Sequence, residues 1–307
     1  MAKVSVIIPT YNRPELLTKS INSVISQTFG DFELIVIDDC SPDNTPNVLG
    51  RFSDERMKVI RNSSNMGIAA VRNIGVRGSK GEYIAFLDDD DEWLPDKLEK
   101  QLTVMEKGPG STGCVYTGCM IIGADGSDAV RTSVPVYRNR VLKELLLENF
   151  ITTSTLLLRK SCFDRAGLFD ERFPYGEDYD MWIRVAEDFE FDFSPEPLTK
   201  YRVHQTTMTR NYTAVINGLE RILSKHRKLF AQNKRAYSNH MLVLGVSYCY
   251  TGNTGMGIKT FLRAIKTFPL DERLYYNLAL ALLGTETFIR LKEKKSRYFP
   301  QRIKIFR

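Results

Sequence analysis

The stretch Tyr83-Ile84-Ala85-Phe86-Leu87-Asp88-Asp89-Asp90-Asp91-Glu92-Trp93 determines how the rest of this sequence is interpreted. Its first five residues are apolar or nearly so, and they predict a buried strand. Four consecutive aspartates follow, and adjacent carboxylates repel one another in water by about 1 kcal/mol at ~4 Å. A solvated acidic turn is one interpretation of this run. Because open α/β sheets bind ligands at the carboxyl ends of their strands, a cation-binding site is the other.

Composition limits the class of protein. The chain has 307 residues, of which 43% are hydrophobic and 26% charged, which indicates a globular α/β domain with a smaller second unit. We expect no membrane span and no signal peptide. The five scattered cysteines favour a reducing, cytoplasmic location without a zinc site. The net charge of +6 does not by itself indicate nucleic-acid binding.

Apolar runs alternate with helical patterns through the first 90 residues. This alternation predicts a Rossmann-like, mostly parallel central sheet with helices on both faces. The predicted elements are the strands Val4–Pro9, Phe32–Ile37, Met57–Ile60 and Tyr83–Leu87 and the helices Glu15–Gln27 and Ile68–Arg77.

Acidic residues follow two of these strands. Asp38 and Asp39 come directly after the second strand, and Asp88 to Asp91 follow the fourth. Each group alone is compatible with ordinary turn chemistry, since aspartate is common in turns and at helix starts. Their repetition at equivalent strand ends favours one shared site for a nucleotide and a metal ion.

The next hundred residues predict further strands at Cys114–Ile122 and Ser154–Arg159 and a helix over Asn139–Asn149. Another helix is expected from Gly176 to Val185, with Glu177 and Asp178 in its first turn. Acidic side chains there are favourable for the helix dipole alone, which is the structural interpretation of this pair.

The pattern changes after Arg210 and becomes helical throughout. We therefore predict an α/β domain over residues 1–210 and a helical region with a basic tail over residues 211–307. Gly245, Tyr248, Ala264 and Pro269 have the spacing of a tetratricopeptide-type helix pair. A plain helical cap, self-association and binding of a protein partner all remain open for this region.

The last residues are basic and interleaved with apolar ones. This pattern predicts peripheral contact with an anionic membrane, at its inner face. The residues concerned are Arg290, Lys292, Lys294, Lys295, Arg297, Tyr298, Phe299, Arg302, Ile303, Lys304, Ile305, Phe306 and Arg307.

Five motifs in order resemble family-2 glycosyltransferases of the GT-A fold, over about residues 3–208. Any one of them is weak, but five at compatible spacing are specific. They are Val6–Arg13, Ile37–Ser41, Asn65–Gly67, Phe86–Asp91 and Gly176–Trp182. The resemblance implies an inverting, metal-dependent transfer of a sugar from a nucleotide-diphosphate sugar, with a UDP-sugar favoured. The acceptor would be a hydroxyl of a glycan, of a lipid-linked saccharide or of a polysaccharide.

Site residues follow from the same resemblance. It implies that Asp178 is the catalytic base and that Asp90, with Asp88 and His204, binds Mn²⁺ or Mg²⁺. More than one register is possible within the four aspartates, and His204 can equally be structural. The implied nucleotide-binding residues are Pro9, Thr10, Tyr11, Arg13, Asp38, Asp39, Asn65, Gly67, Arg72, Asp88 and Asp89.

Glu177 and Trp182 are candidates for contacts with the acceptor or the donor sugar, and core packing is the other interpretation of Trp182. Two alternative functions stay open. A sugar-phosphate nucleotidyltransferase shares the α/β plan and the metal, but no glycine-rich triphosphate loop follows the first strand. A catalytically inactive nucleotide-binding scaffold, acting through its helical region, would not need the aspartate run or Asp178.

Overall fold

A computed structural model describes residues 2–123, 131–203 and 211–298 of the protein, and the chain forms two compact units. The first contains the chain up to Val141, Ile151–Glu171 and the described part of 181–205. The second contains Leu142–Phe150, Arg172–Asp180 and the described part of 206–307. The sequence predicts one boundary, at residue 210. That boundary would separate Leu142–Phe150 and Arg172–Asp180 from the C-terminal helices of the same unit.

The strands of the described residues form one sheet. In chain order they are β1 Val4–Thr10, β2 Phe32–Asp38, β3 Met57–Arg61, β4 Tyr83–Phe86, β5 Glu92–Trp93, β6 Thr112–Ile122, β7 Arg131–Ser133, β8 Leu156–Arg159 and β9 Glu190–Arg202. Their order across the sheet is β3-β2-β1-β4-β8-β6-β9-β5, with β7 paired to β6.

The helices of the first part of the chain are short connections between strands, and the later ones follow one another directly. They are α1 Pro14–Ile25, α2 Thr45–Leu49, α3 Ile68–Gly78, α4 Lys97–Lys107, α5 Leu142–Leu147, α6 Ser161–Ala166, α7 Glu177–Asp188, α8 Tyr212–Lys225, α9 Arg227–Gln232, α10 Lys234–Tyr250, α11 Thr254–Thr267, α12 Glu272–Leu282 and α13 Thr285–Tyr298. Within the described ranges, no helix combines the length and the apolar character needed to cross a membrane.

The pairings of β1 with β2 and β4, and of β2 with β3, are parallel, as predicted. Thr10 lies opposite Asp38, and Ile7 lies opposite Phe86, so these strands end at one edge of the sheet. The other half of the sheet is mixed, because β8 is antiparallel to both of its neighbours, β4 and β6.

Helices cover both faces of this sheet. Val4, Val6 and Ile8 point to one face and share a buried core with Leu17 of α1 and Leu98 of α4. Ile7 points to the other face, where α3 approaches closely. A Cβ atom added at Gly75 of α3 would lie 2.5 Å from Cγ2 of Ile7, so only glycine permits this separation. The predicted α/β arrangement is confirmed.

The longest strand, β9, was not predicted from the sequence. Pro195 and Pro197 interrupt its apolar pattern, and proline normally argues against a strand inside a sheet. The pairing of β6 with β9 tolerates them because the register shifts at Gly118, next to Pro197. The helix predicted over 139–149 is shorter than expected, since Asn139 instead forms a bridge with Phe191.

In the second unit, α8 and α10 to α13 pack around a core that includes Phe261, Leu274 and Phe288. Four of these helices follow an N-cap residue whose side chain accepts a hydrogen bond from a backbone amide of the first turn. The caps are Asn211, Asn233, Asn253 and Asp271. The identification of this unit as tetratricopeptide-like stays a prediction.

Glycines bring α10 and α11 close together. A Cβ atom at Gly245 would lie 2.4 Å from Cε1 of Phe261, a ring that is fully buried, whereas a Cβ atom at Gly255 would meet nothing within 4 Å. We expect Gly245→Ala to lower the free energy of unfolding by about 1–3 kcal/mol through overpacking. Gly255→Ala should raise it by about 0.5–1 kcal/mol, because glycine is a poor helix former. Urea denaturation of both variants checks the pair, and equal effects would contradict the close approach.

Candidate functional site

The aspartate run forms a turn between β4 and β5. The Asp91 amide donates to the carbonyl of Asp88 at 3.1 Å, and the Asp88 amide donates to Oγ of Ser154 at 3.1 Å. The four side chains differ in environment: Asp88 is 30% exposed, Asp90 is 17% exposed and Asp91 is fully buried. The run is therefore part of the structure of the sheet edge, and not a solvated acidic turn.

Two arginines form ion pairs with the first three carboxylates. Nη2 of Arg72, a buried residue of α3, donates to Oδ1 of Asp88 at 2.7 Å. Nη1 of Arg13, just before α1, donates to Oδ1 of Asp89 at 3.0 Å and to Oδ2 of Asp90 at 2.7 Å. These ion pairs offset the mutual repulsion that adjacent carboxylates create.

Asp89 connects the first loop to the fourth strand. Its Oδ2 accepts from Oγ1 of Thr10 at 2.8 Å and from the amide of Tyr11 at 3.3 Å. Burial raises the pKa of Asp89 to about 6, the Arg13 guanidinium opposes this rise, and the Asp90 carboxylate adds to it. Asp89 therefore holds the Thr10–Tyr11 segment in place and leaves the Tyr11 ring 45% exposed beside it.

Asp91 points into the protein. Its Oδ1 accepts from the amide of Arg202 at 3.0 Å, and its carbonyl accepts from Oγ of Ser20 at 2.6 Å. Burial, with the nearby Asp90 and Asp88, raises the pKa of Asp91 well above its ordinary value. The four aspartates thus divide into three at the sheet edge and one in the interior, a division that the sequence left open.

Arg202 was missed by the sequence analysis. Its guanidinium is buried and donates to Oε1 of Glu92 at 2.8 Å and to the carbonyl of Asp90 at 3.3 Å. It lies at the end of β9, the strand that its prolines conceal. The neighbouring His204, a predicted metal contact, lies outside the described residues.

The second acidic pair orders a separate loop. Asp38 accepts from the amide of Ser41 at 2.9 Å and lies 3.3 Å from Nη1 of Arg61. The Asp39 carboxylate accepts from Nδ2 of Asn62 at 2.8 Å and from the amides of Met66 and Gly67, both at 2.9 Å.

Gly67 has φ +85°, a conformation that favours glycine, and α3 begins directly after it. Asp39 thereby fixes the segment Asn65–Gly67 in which Asn65 and Met66 are exposed. Pro9, by contrast, is buried within β1. The structure brings the predicted nucleotide-binding residues to the carboxyl ends of β1, β2 and β4 and to the start of α3.

Glu177 and Asp178 begin α7, and both belong to the second unit. Glu177 is largely buried, and Asp178 is half-buried. Oδ1 of Asp178 accepts from the amide of Tyr179 at 2.6 Å, and its Oδ2 lies 3.5 Å from Nδ2 of Asn149. An ionised Asp178 is compatible with the helix dipole at this position.

Buried polar side chains follow Asp178 in the same helix. The Tyr179 hydroxyl donates to the carbonyl of Leu145 at 2.6 Å. The carboxylate of Asp180 lies 2.9 Å from both Nζ of Lys225 and Nε2 of His226. Asp180 is fully buried, so these two partners compensate a charge that would otherwise be costly. Tyr179 and Asp180 thus fix the first turn of α7 within the second unit.

Trp182, in the first unit, is fully buried and packs edge-to-face on Phe169, with ring centroids 6.1 Å apart. This position agrees with the prediction that Trp182 packs in the core. Its complete burial leaves no surface for a direct contact with a sugar, the other predicted role. Within the described ranges, no three His, Cys, Asp or Glu side chains are arranged to hold a metal ion by themselves.

Residues 5–166 match the profile of the family described as Glycosyl transferase family 2. The chain belongs to glycosyltransferase family 2. It is an enzyme that uses a nucleotide sugar, and its fold is the GT-A fold that the motifs predicted.

Two curated relatives illustrate the membership. An uncharacterised glycosyltransferase of Rickettsia typhi is 28% identical over 315 residues, which cover 95% of this chain and 97% of the relative. The UDP-Glc:alpha-D-GlcNAc-diphosphoundecaprenol beta-1,3-glucosyltransferase WfgD of Escherichia coli is 32% identical over 220 residues, covering 68% of this chain and 80% of that enzyme.

A solved structure shares the fold. The mannosyltransferase PcManGT of Pyrobaculum calidifontis, in complex with GDP-Man and Mn²⁺, superposes with a TM-score of 0.61 at 14% identity. The match covers 97% of this chain and 88% of PcManGT. At this identity the likeness shows the fold alone.

The second unit contains a buried histidine that predicts how stability depends on pH. Nε2 of His240 lies 2.9 Å from the carbonyl of Leu146 and 3.0 Å from the Tyr179 hydroxyl. Burial lowers the pKa of His240 from 6.5 to about 4. The folded state therefore binds fewer protons than the unfolded state between these values, and stability falls as the pH drops below 6.5.

We expect the free energy of unfolding of the wild-type protein to fall by about 3 kcal/mol between pH 7 and pH 4 because of His240. His240→Gln cannot take up the proton, so its free energy of unfolding should depend less on pH by that amount. Urea denaturation across this range compares the two proteins. The same pH dependence in both would show that His240 is not held neutral.

Proposed function

We propose that this glycosyltransferase transfers a sugar, with inversion, from a nucleotide-diphosphate sugar to a hydroxyl of a glycan, with a UDP-sugar as donor. One observation carries the proposal: two arginines and three aspartates meet where the Thr10–Tyr11 loop adjoins the end of β4. This edge combines an exposed aromatic ring with charged groups that suit a nucleotide and its diphosphate.

The base and ribose would be held by the two ordered loops. Tyr11 offers an exposed ring for stacking on the base, as aromatic side chains do with nucleobases. The Asp39 carboxylate and the segment Asn65–Gly67, which it holds, would contact the base edge. Nδ2 of Asn62 and the amides of Met66 and Gly67 already donate to Asp39, and the Met66 amide lies within hydrogen-bond distance of both of its oxygens.

Asp88 and Asp90 fit a divalent cation by their chemistry. Both present carboxylate oxygens at a partly exposed edge, and Mg²⁺ binds proteins through one or two carboxylates with substrate phosphates and water completing the shell. A bound Mn²⁺ or Mg²⁺ would stabilise the negative charge of the leaving diphosphate. The Arg13 side chain, 41% exposed, is the protein's own cation beside that charge.

Asp178 is proposed as the base that accepts the proton of the acceptor hydroxyl. Its half-buried carboxylate at the start of α7, ordered by the Tyr179 amide, supports this role. Attack by the acceptor oxygen on the anomeric carbon forms the glycosidic bond as the bond to the diphosphate breaks. One such displacement inverts the configuration at that carbon.

The acceptor class is proposed more broadly, as a glycan, a polysaccharide or a lipid-linked saccharide. The name of the E. coli relative specifies a lipid diphosphate acceptor for that enzyme. Contact of the basic tail with a membrane stays a prediction, since residues 299–307 lie outside the described residues. A nucleotidyltransferase activity or a purely scaffolding role has no observation in its favour here.

Nucleotide binding is tested by thermal shift with UDP, GDP and dTDP, each with and without Mn²⁺ or Mg²⁺. We expect UDP with metal to raise the melting temperature, since a ligand at about 100 times its Kd stabilises by about 2.7 kcal/mol. Asp90→Ala should abolish the metal-dependent part of the shift. Asp164→Ala, a change at an exposed aspartate of α6, is the matched control and should keep it. A shift that is the same without metal would contradict the proposed cation site. Equal shifts with all three nucleotides would contradict the proposed preference for UDP.

Asp178→Asn is expected to lower turnover by about 10²–10⁴-fold, because the amide cannot accept the acceptor proton. Release of the nucleoside diphosphate is measured with an acceptor preparation that supports wild-type turnover. The thermal shift with nucleotide should remain, which separates catalysis from binding. Asp164→Asn is the control, and full turnover in Asp178→Asn would refute the assignment of the base.

A further inference from the structure

The second unit contains an open groove of about 710 Å³ among helices α8, α9, α10 and α11. It shares no residue with the nucleotide site of the first unit. Its accessible floor is apolar and is formed by Leu223 and Tyr237, which are half-buried, and by Met256, which is 38% exposed. Phe230, Met241 and Leu244 also line the groove, but they are almost fully buried and offer little surface to a ligand. The floor thus provides aliphatic and aromatic contacts for an apolar group.

Cations surround this floor. Arg227, Lys234, Lys259 and Arg263 line the groove, and all four are exposed. Lys259 and Arg263 lie one helical turn apart on α11, so their side chains emerge on the same face. Within the described part of the chain, none of these four forms an ion pair. Each therefore retains its charge for a ligand.

The groove offers little compensating negative charge. Glu220 is its only carboxylate among the described lining residues, and the Tyr248 hydroxyl donates to it. The Arg263 guanidinium lies 6.0 Å from the centre of the Tyr237 ring, which places a cation directly beside the apolar surface. The apolar floor and the cationic rim together suit a ligand that is both apolar and anionic.

We propose that this groove binds an amphiphile in which a diphosphate is joined to a hydrocarbon chain, the chemistry of a polyprenyl diphosphate. The hydrocarbon would lie on the floor formed by Leu223, Tyr237 and Met256. The diphosphate would be bound by Lys259 and Arg263, since guanidinium and ammonium groups form strong charge-assisted hydrogen bonds with phosphate oxygens. The proposal concerns binding and does not depend on the proposed transferase mechanism.

Size and charge favour this occupant over others. The groove lies within the range of about 300–1,000 Å³ typical of small-molecule sites. Two turns of an amphipathic helix, about 10–12 Å across, would need on the order of 1,000 Å³, so a peptide fits less well. Residues 299–307 carry Arg302, Lys304 and Arg307 and no acidic side chain, so the cationic rim would repel this segment.

The probe is farnesyl diphosphate, used below its micellar concentration and titrated calorimetrically into the full chain. We expect saturable binding that is at least about tenfold tighter than that of inorganic diphosphate or of farnesol, because both halves of the ligand contribute. The double variant Lys259→Ala/Arg263→Ala should weaken it by about tenfold or more. Both side chains are exposed, so folding is preserved, and circular dichroism verifies this.

The matched control is Lys228→Ala/Lys266→Ala, which removes the same charge from α9 and α11 outside the groove. It should bind farnesyl diphosphate like wild type. Several outcomes would overturn the proposal: no binding, an equal loss in the two double variants, or inorganic diphosphate binding as tightly as the lipid. Tighter binding of a Leu/Glu amphipathic helical peptide would assign the groove to a protein partner instead. UDP shifts measured on the same variants report separately on the nucleotide site.

Discussion

Three consecutive carboxylates lie at one edge of the sheet because cations from elsewhere in the chain offset much of their charge. Arg13 and Arg72 supply those cations, and each comes from a segment adjoining a helix on a different face of the sheet. Loss of either arginine would leave uncompensated charge at a partly buried position, which costs more than the ion pair itself contributes. The geometry of the first loop, of α3 and of the β4–β5 turn therefore depends on one set of electrostatic contacts.

The same contacts explain how a stable fold maintains an acidic site. Asp91 points inward and is buried, where the Arg202 amide donates to its side chain and Oγ of Ser20 donates to its backbone carbonyl. Asp89 is bound to the first loop through Thr10 and Tyr11. Asp88 and Asp90 are left at the edge, where Asp88 pairs with the buried Arg72 and Asp90 pairs with the partly exposed Arg13. Structural and functional roles are thus distributed over adjacent residues of identical chemistry.

Sequence patterns predicted the first half of the sheet well. Val4–Ile8, Phe32–Ile37 and Tyr83–Phe86 are continuous apolar runs, and such runs are typical of strands buried on both faces. The carboxyl edge and its acidic residues followed from that topology.

The rest could not be predicted because it depends on long-range pairing. β9 contains two prolines, and only its shifted register with β6 makes it a strand. Arg202, at its end, reaches Glu92 and Asp90 across more than a hundred residues. The distribution of roles within Asp88–Asp91 also needed coordinates, since four identical side chains give no local signal. Nor does periodicity show that Leu142–Phe150 and Arg172–Asp180 pack with the C-terminal helices.

That interleaving has a consequence for synthesis of the protein on the ribosome. The carbonyls of Leu146 and Leu147 and the Tyr179 hydroxyl are bound in the native state by Asn239 and His240. These partners are translated some sixty to ninety residues later, about 3–18 s at ordinary elongation rates. Until then, the segments Leu142–Phe150 and Arg172–Asp180 lack these native partners, and the second of them carries Asp178. Among the described residues, the contacts of the acidic edge extend no further than Arg202, so all of these residues have been translated before Asn239 and His240.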